Sequence, residues 1–374
     1  MSEQVDWEKI RRDFPVTEHA AYLNSAAAGP IPHQVNEAAS AFYREMLEAG
    51  DAGWDRWLEE REIMRSRVAE FINAERDEIA FTTNTSSGMN LIVDALENRG
   101  SVVSCDLEFP VSTITWMHRG LNVSLVKTVD GELSAADVER SMNSETGVIC
   151  LSLVQYSNGL RINPEEFAQI KKSSALVINA SQAAGAFEID VKRMRIDALC
   201  ATGHKWMLSG YGSGFVYLSR EILQKTRPRS IGWLSVEDPY ADRNDEVRVR
   251  MDASARAELG CPHFAGIFAL GASVDYMMEI GTRRIEERVL ELNRHLTARL
   301  TEAGWRVLSP LRDESMRSAE TLVAVEQPGE TVEHLKRRGI YVTRKPEGIR
   351  IATHFFNNEE EIARLIDALE ETRG

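Results

Sequence analysis

The stretch ALVINASQAAGAFEIDVKRMRIDALCATGHKWMLSGYGSGFVYLS, residues 175–219, carries the fold assignment. It opens on the apolar run ALVIN (175–179), repeats the pattern in DALCAT (197–202), and closes on GFVYLS (214–219). Near-continuous apolar strands belong to a sheet covered on both faces. Each run ends in polar or glycine-rich sequence: Asn179-Ala180-Ser181-Gln182 after the first, Gly203-His204-Lys205-Trp206 after the second.

Working outward, short apolar runs keep alternating with amphipathic segments. EIAFTT (78–83), SVVSC (101–105), VSLV (123–126) and GVICLSLV (147–154) read as strands. MNLIVDAL (89–96) and PEEFAQIKK (164–172) read as helices. The alternation predicts an α/β fold around a mostly parallel sheet. Residues 34–72 and 264–303 each have helical periodicity along their whole length. A compact α/β tail follows, with WRVLS, ETLVAVE, IYVTR, GIRIAT and a final helix. It predicts a smaller second domain: residues 16–262 large, residues 1–15 and 263–374 small.

Composition narrows the function. In 374 residues, 44 Lys and Arg face 58 Asp and Glu, a formal charge of −14. Such a surface repels phosphate backbones, so nucleic-acid binding is not expected. No apolar run is long enough to span a bilayer, and the N-terminus lacks a signal-peptide apolar core. Cys105, Cys150, Cys200 and Cys261 form no CxxC pair and no cluster with histidine, which predicts neither a metal site nor a disulfide scaffold. A reducing, cytoplasmic setting is expected.

In open α/β sheets ligands sit beyond the carboxyl ends of the strands, so those ends carry the candidate residues. Asn84-Thr85-Ser86-Ser87-Gly88 opens a helix and offers free N–H groups to an anion, or serves as an ordinary cap. Phe109 follows the strand 101–105, as a crevice aromatic or a core one. Asn179 and Gln182 need polar partners. Lys205 leaves a buried strand beside His204 and ahead of Gly210, Gly212 and Gly214. An exposed lysine titrates near ~10.4, whereas a partly buried one becomes a Schiff-base nucleophile.

The run 175–219, together with YLNSAAAGPIP (22–32), FTTNTSSGMNLI (81–92), GTRRIEERVLEL (281–292) and RIATHFFNNEEEI (350–362), resembles the aminotransferase class V family of pyridoxal 5′-phosphate enzymes. That family includes cysteine desulfurases and isopenicillin N epimerase-like proteins. The resemblance implies the PLP-dependent transferase fold of type I and a homodimer with its active sites at the interface. It implies that Lys205 carries the cofactor's Schiff base, and that Thr85, Ser86, Thr202 and His204 hold the phosphate. It places Phe109 against the pyridine ring, Gln182 at the ring hydroxyl and Arg350 at the substrate carboxylate. Asn24, Tyr156 and His354 stand near these motifs, to line the substrate side or, equally, to make structural hydrogen bonds.

Three positions depart from the family pattern. Asn179 replaces the aspartate beside the pyridine nitrogen, which implies a weaker electron sink. Arg344-Lys345-Pro346-Glu347-Gly348-Ile349 has no cysteine where desulfurases carry their nucleophile. Cys261 stands in Glu258-Leu259-Gly260-Cys261-Pro262, where a threonine usually reaches the neighbouring subunit's phosphate. The resulting expectation is a PLP enzyme acting on a small amino-acid-like substrate, by transamination, epimerisation, C–S lysis or a specialised biosynthetic step, and not by persulfide formation. The alternative is a protein of the same fold that binds cofactor without turnover. A dinucleotide enzyme is excluded, because no GxGxxG follows the first strand.

Overall fold

A computed structural model describes residues 5–241 and 244–373. Seven strands form the central sheet, in the order Ile79–Thr82, Gly214–Leu218, Ala198–Thr202, Ala175–Asn179, Thr146–Ser152, Ser101–Cys105, Val123–Val126. Neighbours from Ala198–Thr202 across to Val123–Val126 run parallel; Gly214–Leu218 alone is antiparallel to both of its neighbours. Six carboxyl ends and the beginning of Gly214–Leu218 therefore share one edge.

The period of two sorts the strand side chains into two cores. Leu176, Ile178, Leu199, Ala201 and Phe215 enter one cluster with Val68, Phe167, Leu270 and Val274. Val177, Ala198, Cys200 and Val216 enter the other with Met89, Ile92, Val93 and Trp116. Both faces are thus covered, as the apolar strands demand, and the fold is the α/β type I architecture with a mixed, mostly parallel sheet.

The two long helical segments are each broken. Residues 34–72 become His33–Ala49 and Trp54–Phe71, separated where Gly50 adopts φ +62°. Residues 264–303 become Phe264–Ile280 and Thr282–Glu302, with Gly281 at φ +99°. Glycine reaches such angles without a Cβ penalty, and periodicity alone does not register the break.

Helix Phe264–Ile280 is buried along most of its length and joins the core of the large sheet through Ile267, Leu270, Val274 and Met277. A third core unites Leu292, Leu296, Val323, Ile349, Ile351 and Leu365 with Ala21 and Leu23 from the N-terminal segment. It sits behind a three-stranded antiparallel sheet ordered Thr343–Lys345, Gly348–Ala352, Glu320–Ala324. The N-terminal segment is tied in by parallel pairing of Ala21–Tyr22 with Ile340–Tyr341 and by a bridge from Asn24 to Ala352.

Candidate active site

The shared carboxyl edge collects the expected residues. Helix Thr85–Leu96 begins there, with Asn84 Oδ1 accepting from the Ser87 N–H at 2.9 Å. The first N–H groups of a helix have no intrahelical acceptor, and the dipole adds positive potential. Thr85 Oγ1 lies 2.5 Å from Ser181 Oγ, which joins the first helix turn to the loop after Ala175–Asn179. Ser86 is exposed at the same helix start.

Thr202 Oγ1 meets His204 Nδ1 at 2.8 Å, and the imidazole stacks on Tyr211 with ring centroids 4.6 Å apart. Burial, and then the neighbouring Lys205 cation, lower His204 to about 4, so its ring is neutral at pH 7. The turn is drawn tight at Gly203, where a Cβ would stand 2.0 Å from Ser213 Oγ and 2.1 Å from Ser209 Oγ. Gly29 N–H donates to His204 C=O at 2.8 Å, and a Cβ on Gly29 would lie 2.3 Å from Lys205 O. Backbone contacts on both sides thus hold the lysine segment.

Lys205 Nζ stands 5.8 Å from the centre of the Phe109 ring. Burial lowers its amine to about 8; Glu320 opposes that shift, and Arg350 and Lys345 add to it. Phe109 is 44% exposed and meets Tyr156 edge to face at 5.0 Å. One of its faces is therefore open to a ligand, unlike a core phenylalanine.

Asn179 is buried and its amide is engaged at both ends. Nδ2 donates to Ser112 Oγ at 3.0 Å, and Oδ1 accepts from the Ser181 N–H at 3.1 Å. One Nδ2 hydrogen is left uncommitted, which makes the residue a donor. Behind it lies buried Glu108, which accepts from Ser152 Oγ at 2.6 Å and Gln155 Nε2 at 2.7 Å. Gln182 is oriented by Trp206 Nε1, which donates to Oε1 at 2.7 Å, and by its own Nε2, which donates to Ala26 O at 3.0 Å.

The three-stranded sheet supplies the far wall. In Gly348–Ala352, Ile349 and Ile351 enter the third core, so Arg350 points the other way. Arg350 is 5% exposed; its Nη1 lies 3.3 Å from Glu320 Oε2 and 3.5 Å from Tyr156 O. Lys345 Nζ donates to the same Tyr156 carbonyl at 2.8 Å and sits 4.0 Å from the Tyr156 ring centre. Asn24 is half-buried and accepts a hydrogen bond from Thr343 Oγ1.

His354 does not join this wall. It is fully buried: Nε2 donates to Trp206 O at 2.9 Å, and Nδ1 accepts from the Phe355 N–H at 2.9 Å. Both ring nitrogens are used, so the expected substrate contact is corrected to a packing role. The chain has already left strand Gly348–Ala352 at His354, whose ring packs against Trp206 with centroids 5.2 Å apart. Cys261 is exposed and lines a 390 Å³ groove with Thr83, Ser87, Gly212 and His263.

Sequence reasoning missed Ser181, Ser112, Glu108, Glu320 and Lys345. Ser181 and Glu108 sit at strand ends already in view. Glu320 had one signal, a carboxylate opening the apolar strand ETLVA (320–324).

The residues present fit pyridoxal 5′-phosphate. The helix start with Thr85, Ser181 and Thr202 suits a phosphate, Phe109 offers an open face to a ring, and Lys205 is an amine with lowered basicity. Comparison with known proteins agrees. Residues 21–365 match the family described as Aminotransferase class-V. An uncharacterized aminotransferase of Bacillus subtilis, YcbU, is 26% identical over 97% of both chains. The isopenicillin N epimerase of Streptomyces clavuligerus is 27% identical over 99% of both. The apo structure of a cysteine desulfurase from Thermococcus onnurineus superposes with a TM-score of 0.90 at 25% identity, covering 100% of this chain and 99% of that one.

Proposed function

The chain belongs to the aminotransferase class-V family, its cofactor is pyridoxal 5′-phosphate, and from that premise we propose that it transforms a small amino-acid-like substrate in the crevice between Lys205 and Arg350. The observation that carries this reading is that pair: a buried lysine whose basicity burial lowers and a buried guanidinium near it in one site. When bound, the cofactor supplies an aldehyde that condenses with amines and a ring that withdraws electrons from the adjoining carbon.

The protein's side chains do the rest. The start of helix Thr85–Leu96, Thr85, Ser86, Thr202 and His204 hold the phosphate. Phe109 packs on the ring face, Gln182 serves the ring hydroxyl, and Asn179 donates to the ring nitrogen. Arg350 grips the substrate carboxylate through two parallel N–H groups, while Asn24 and Tyr156 line the approach. Lys205 takes a proton from the substrate carbon and returns it. Its amine, near 8, is matched to that work near neutral pH.

Persulfide formation is not part of this proposal. The turn between Thr343–Lys345 and Gly348–Ala352 is two residues, Pro346 and Glu347, and carries no thiol. Elimination of a sulfur leaving group to solvent stays within the reading, as do transamination and epimerisation. Asn179 favours a second reading, cofactor binding without turnover, because a neutral amide withholds the charge that strengthens the ring as an electron sink.

A homodimer is part of the proposal. Exposed Tyr43, Leu47, Ile114, Tyr211 and Trp233 support it, as apolar surface that a second copy would cover. No helix among the described residues is long and apolar enough to cross a membrane. Three buried free thiols support a reducing compartment such as the cytoplasm.

The test is direct. Protein loaded with cofactor is treated with borohydride and mapped by mass spectrometry, then incubated with an amino-acid panel while its absorption is recorded. An adduct at Lys205 and a spectral response with product formation are expected. Failure of the adduct removes the proposal. A spectral response without product selects the binder.

A further inference from the structure

Glu320 is a buried carboxylate on the crevice wall that the reading above leaves without work. It is 2% exposed, and among the described residues its side-chain oxygens meet no donor closer than Arg350 Nη1 at 3.3 Å. Buried carboxylates are normally satisfied by donors, because the desolvated charge otherwise costs heavily. Here only the ion pair with Arg350, at 3.3 Å, offsets it directly. Lys205 and Lys345 add attraction from further off.

Strand register explains the placement. Glu320 pairs with Ala352, and Leu322 pairs with Arg350, so Glu320 and Arg350 are diagonal neighbours on one face of the sheet. The opposite face, with Val323, Ile349 and Ile351, is core. The strand is held in position from the large sheet's side: Ser318 Oγ donates to Gly159 O at 2.6 Å, and a Cβ on Gly159 would stand 2.6 Å from Glu320 O. The Glu320 backbone is thus fixed against the loop at Gly159.

A substrate carboxylate that takes Arg350 arrives beside Glu320. Two carboxylates then share one guanidinium, which is unfavourable unless the newcomer also brings a donor for the free oxygens. Alkyl and thioether side chains bring none. Ammonium, amide and hydroxyl groups do.

We propose that Glu320 is a specificity-determining residue that accepts a hydrogen bond from the substrate's side chain, so that the site selects amino acids ending in an amine, amide or hydroxyl. This rests on the amino-acid reading of the crevice. A site built around an acceptor discriminates by leaving it unpaired when the wrong substrate binds, and such discrimination is large.

The experiment uses cofactor-loaded full-length protein and two near-isosteric pairs, norvaline against 2,4-diaminobutyrate and 2-aminobutyrate against serine, in both enantiomers. Apparent affinity is read from the cofactor absorption. Wild type should prefer the donor-bearing member of a pair by roughly tenfold or more. Glu320→Leu should bring the ratio to about one and tighten norvaline, since Arg350 is then free of its rival. Glu320→Gln, whose amide oxygen still accepts, should retain part of the preference and guards against a Leu variant that does not fold. Equal affinities in wild type, or a preference that survives both substitutions, overturn the inference alone. No response to any amino acid overturns the amino-acid reading itself, and this inference with it.

Discussion

Asn179 Nδ2 donates to Ser112 Oγ at 3.0 Å, so this strand-end amide, which the proposed reading sets against the ring nitrogen, is anchored as a neutral donor. Buried Glu108 lies behind it, its carboxyl pushed up by burial and partly restored by Ser152 and Gln155. In the proposed reading, no carboxylate therefore stands at position 179 to hold a proton on the ring nitrogen.

Asn179→Asp should place a carboxylate there. Ser112 Oγ–H can turn to donate to the new carboxylate. One unit of pKa support at the ring nitrogen is about 1.4 kcal/mol, close to tenfold in rate. We expect a changed pH titration of the cofactor absorption and faster proton removal from the substrate carbon, measured by exchange of the α-hydrogen in deuterium oxide. Unchanged exchange and spectra would remove Asn179 as the cause of slow chemistry.

Cofactor loading should follow the Lys205 amine. An ordinary lysine near ~10.4 is almost wholly protonated at pH 8, but burial brings Lys205 to about 8. The unprotonated amine attacks, so the loading rate of cofactor-free protein should rise with pH to a midpoint near 8 and then flatten. A rate still climbing above pH 10 would contradict the placement of Lys205. Lys205→Ala should abolish the borohydride adduct.

Arg350→Lys should keep a cation opposite Glu320 but lose the planar fork. We expect KM for carboxylate substrates to rise on the order of tenfold to a hundredfold, with denaturation little changed. Arg350→Ala leaves Glu320 buried without its ion-pair partner and should cost about 3–5 kcal/mol in chemical denaturation. Equal KM values for wild type and Arg350→Lys would move the carboxylate elsewhere.

His354 makes the fold sensitive to acid. Burial lowers it from 6.5 to about 4, against a smaller opposing effect of the Trp206 carbonyl. The unfolded chain takes the proton first as pH falls below about 6.5. The stabilisation from keeping this ring neutral is present above that pH and is lost as pH falls through about 4. The loss should be about 3 kcal/mol, measured by denaturation at stepped pH. His354→Phe should flatten that slope even if it lowers stability at pH 7. A slope unchanged by the substitution would place the acid sensitivity in another group.

The sequence disclosed the strands almost to the residue: ALVIN (175–179), SVVSC (101–105) and VSLV (123–126) are strands over those bounds. Their signal is local, because a short continuous apolar run needs no partner to be visible. The helix breaks at Gly50 and Gly281 were less legible, since periodicity runs on either side of a single left-handed residue. At the site, Lys205, Thr85 and Phe109 stood out because each follows a strand end, and Thr202 entered through the family resemblance.

What the sequence determined by itself is this edge, with an amine, a helix start and an aromatic delivered to it by strand after strand. What only the tertiary structure decided is the opposite wall. Whether Arg350 faces the crevice depends on which side of Gly348–Ala352 packs against Leu292 and Leu365, and whether Glu320 stands beside Arg350 depends on register between strands far apart in the chain. Register is set by long-range packing, because slipping a strand by one residue exchanges its buried and ligand-facing sides.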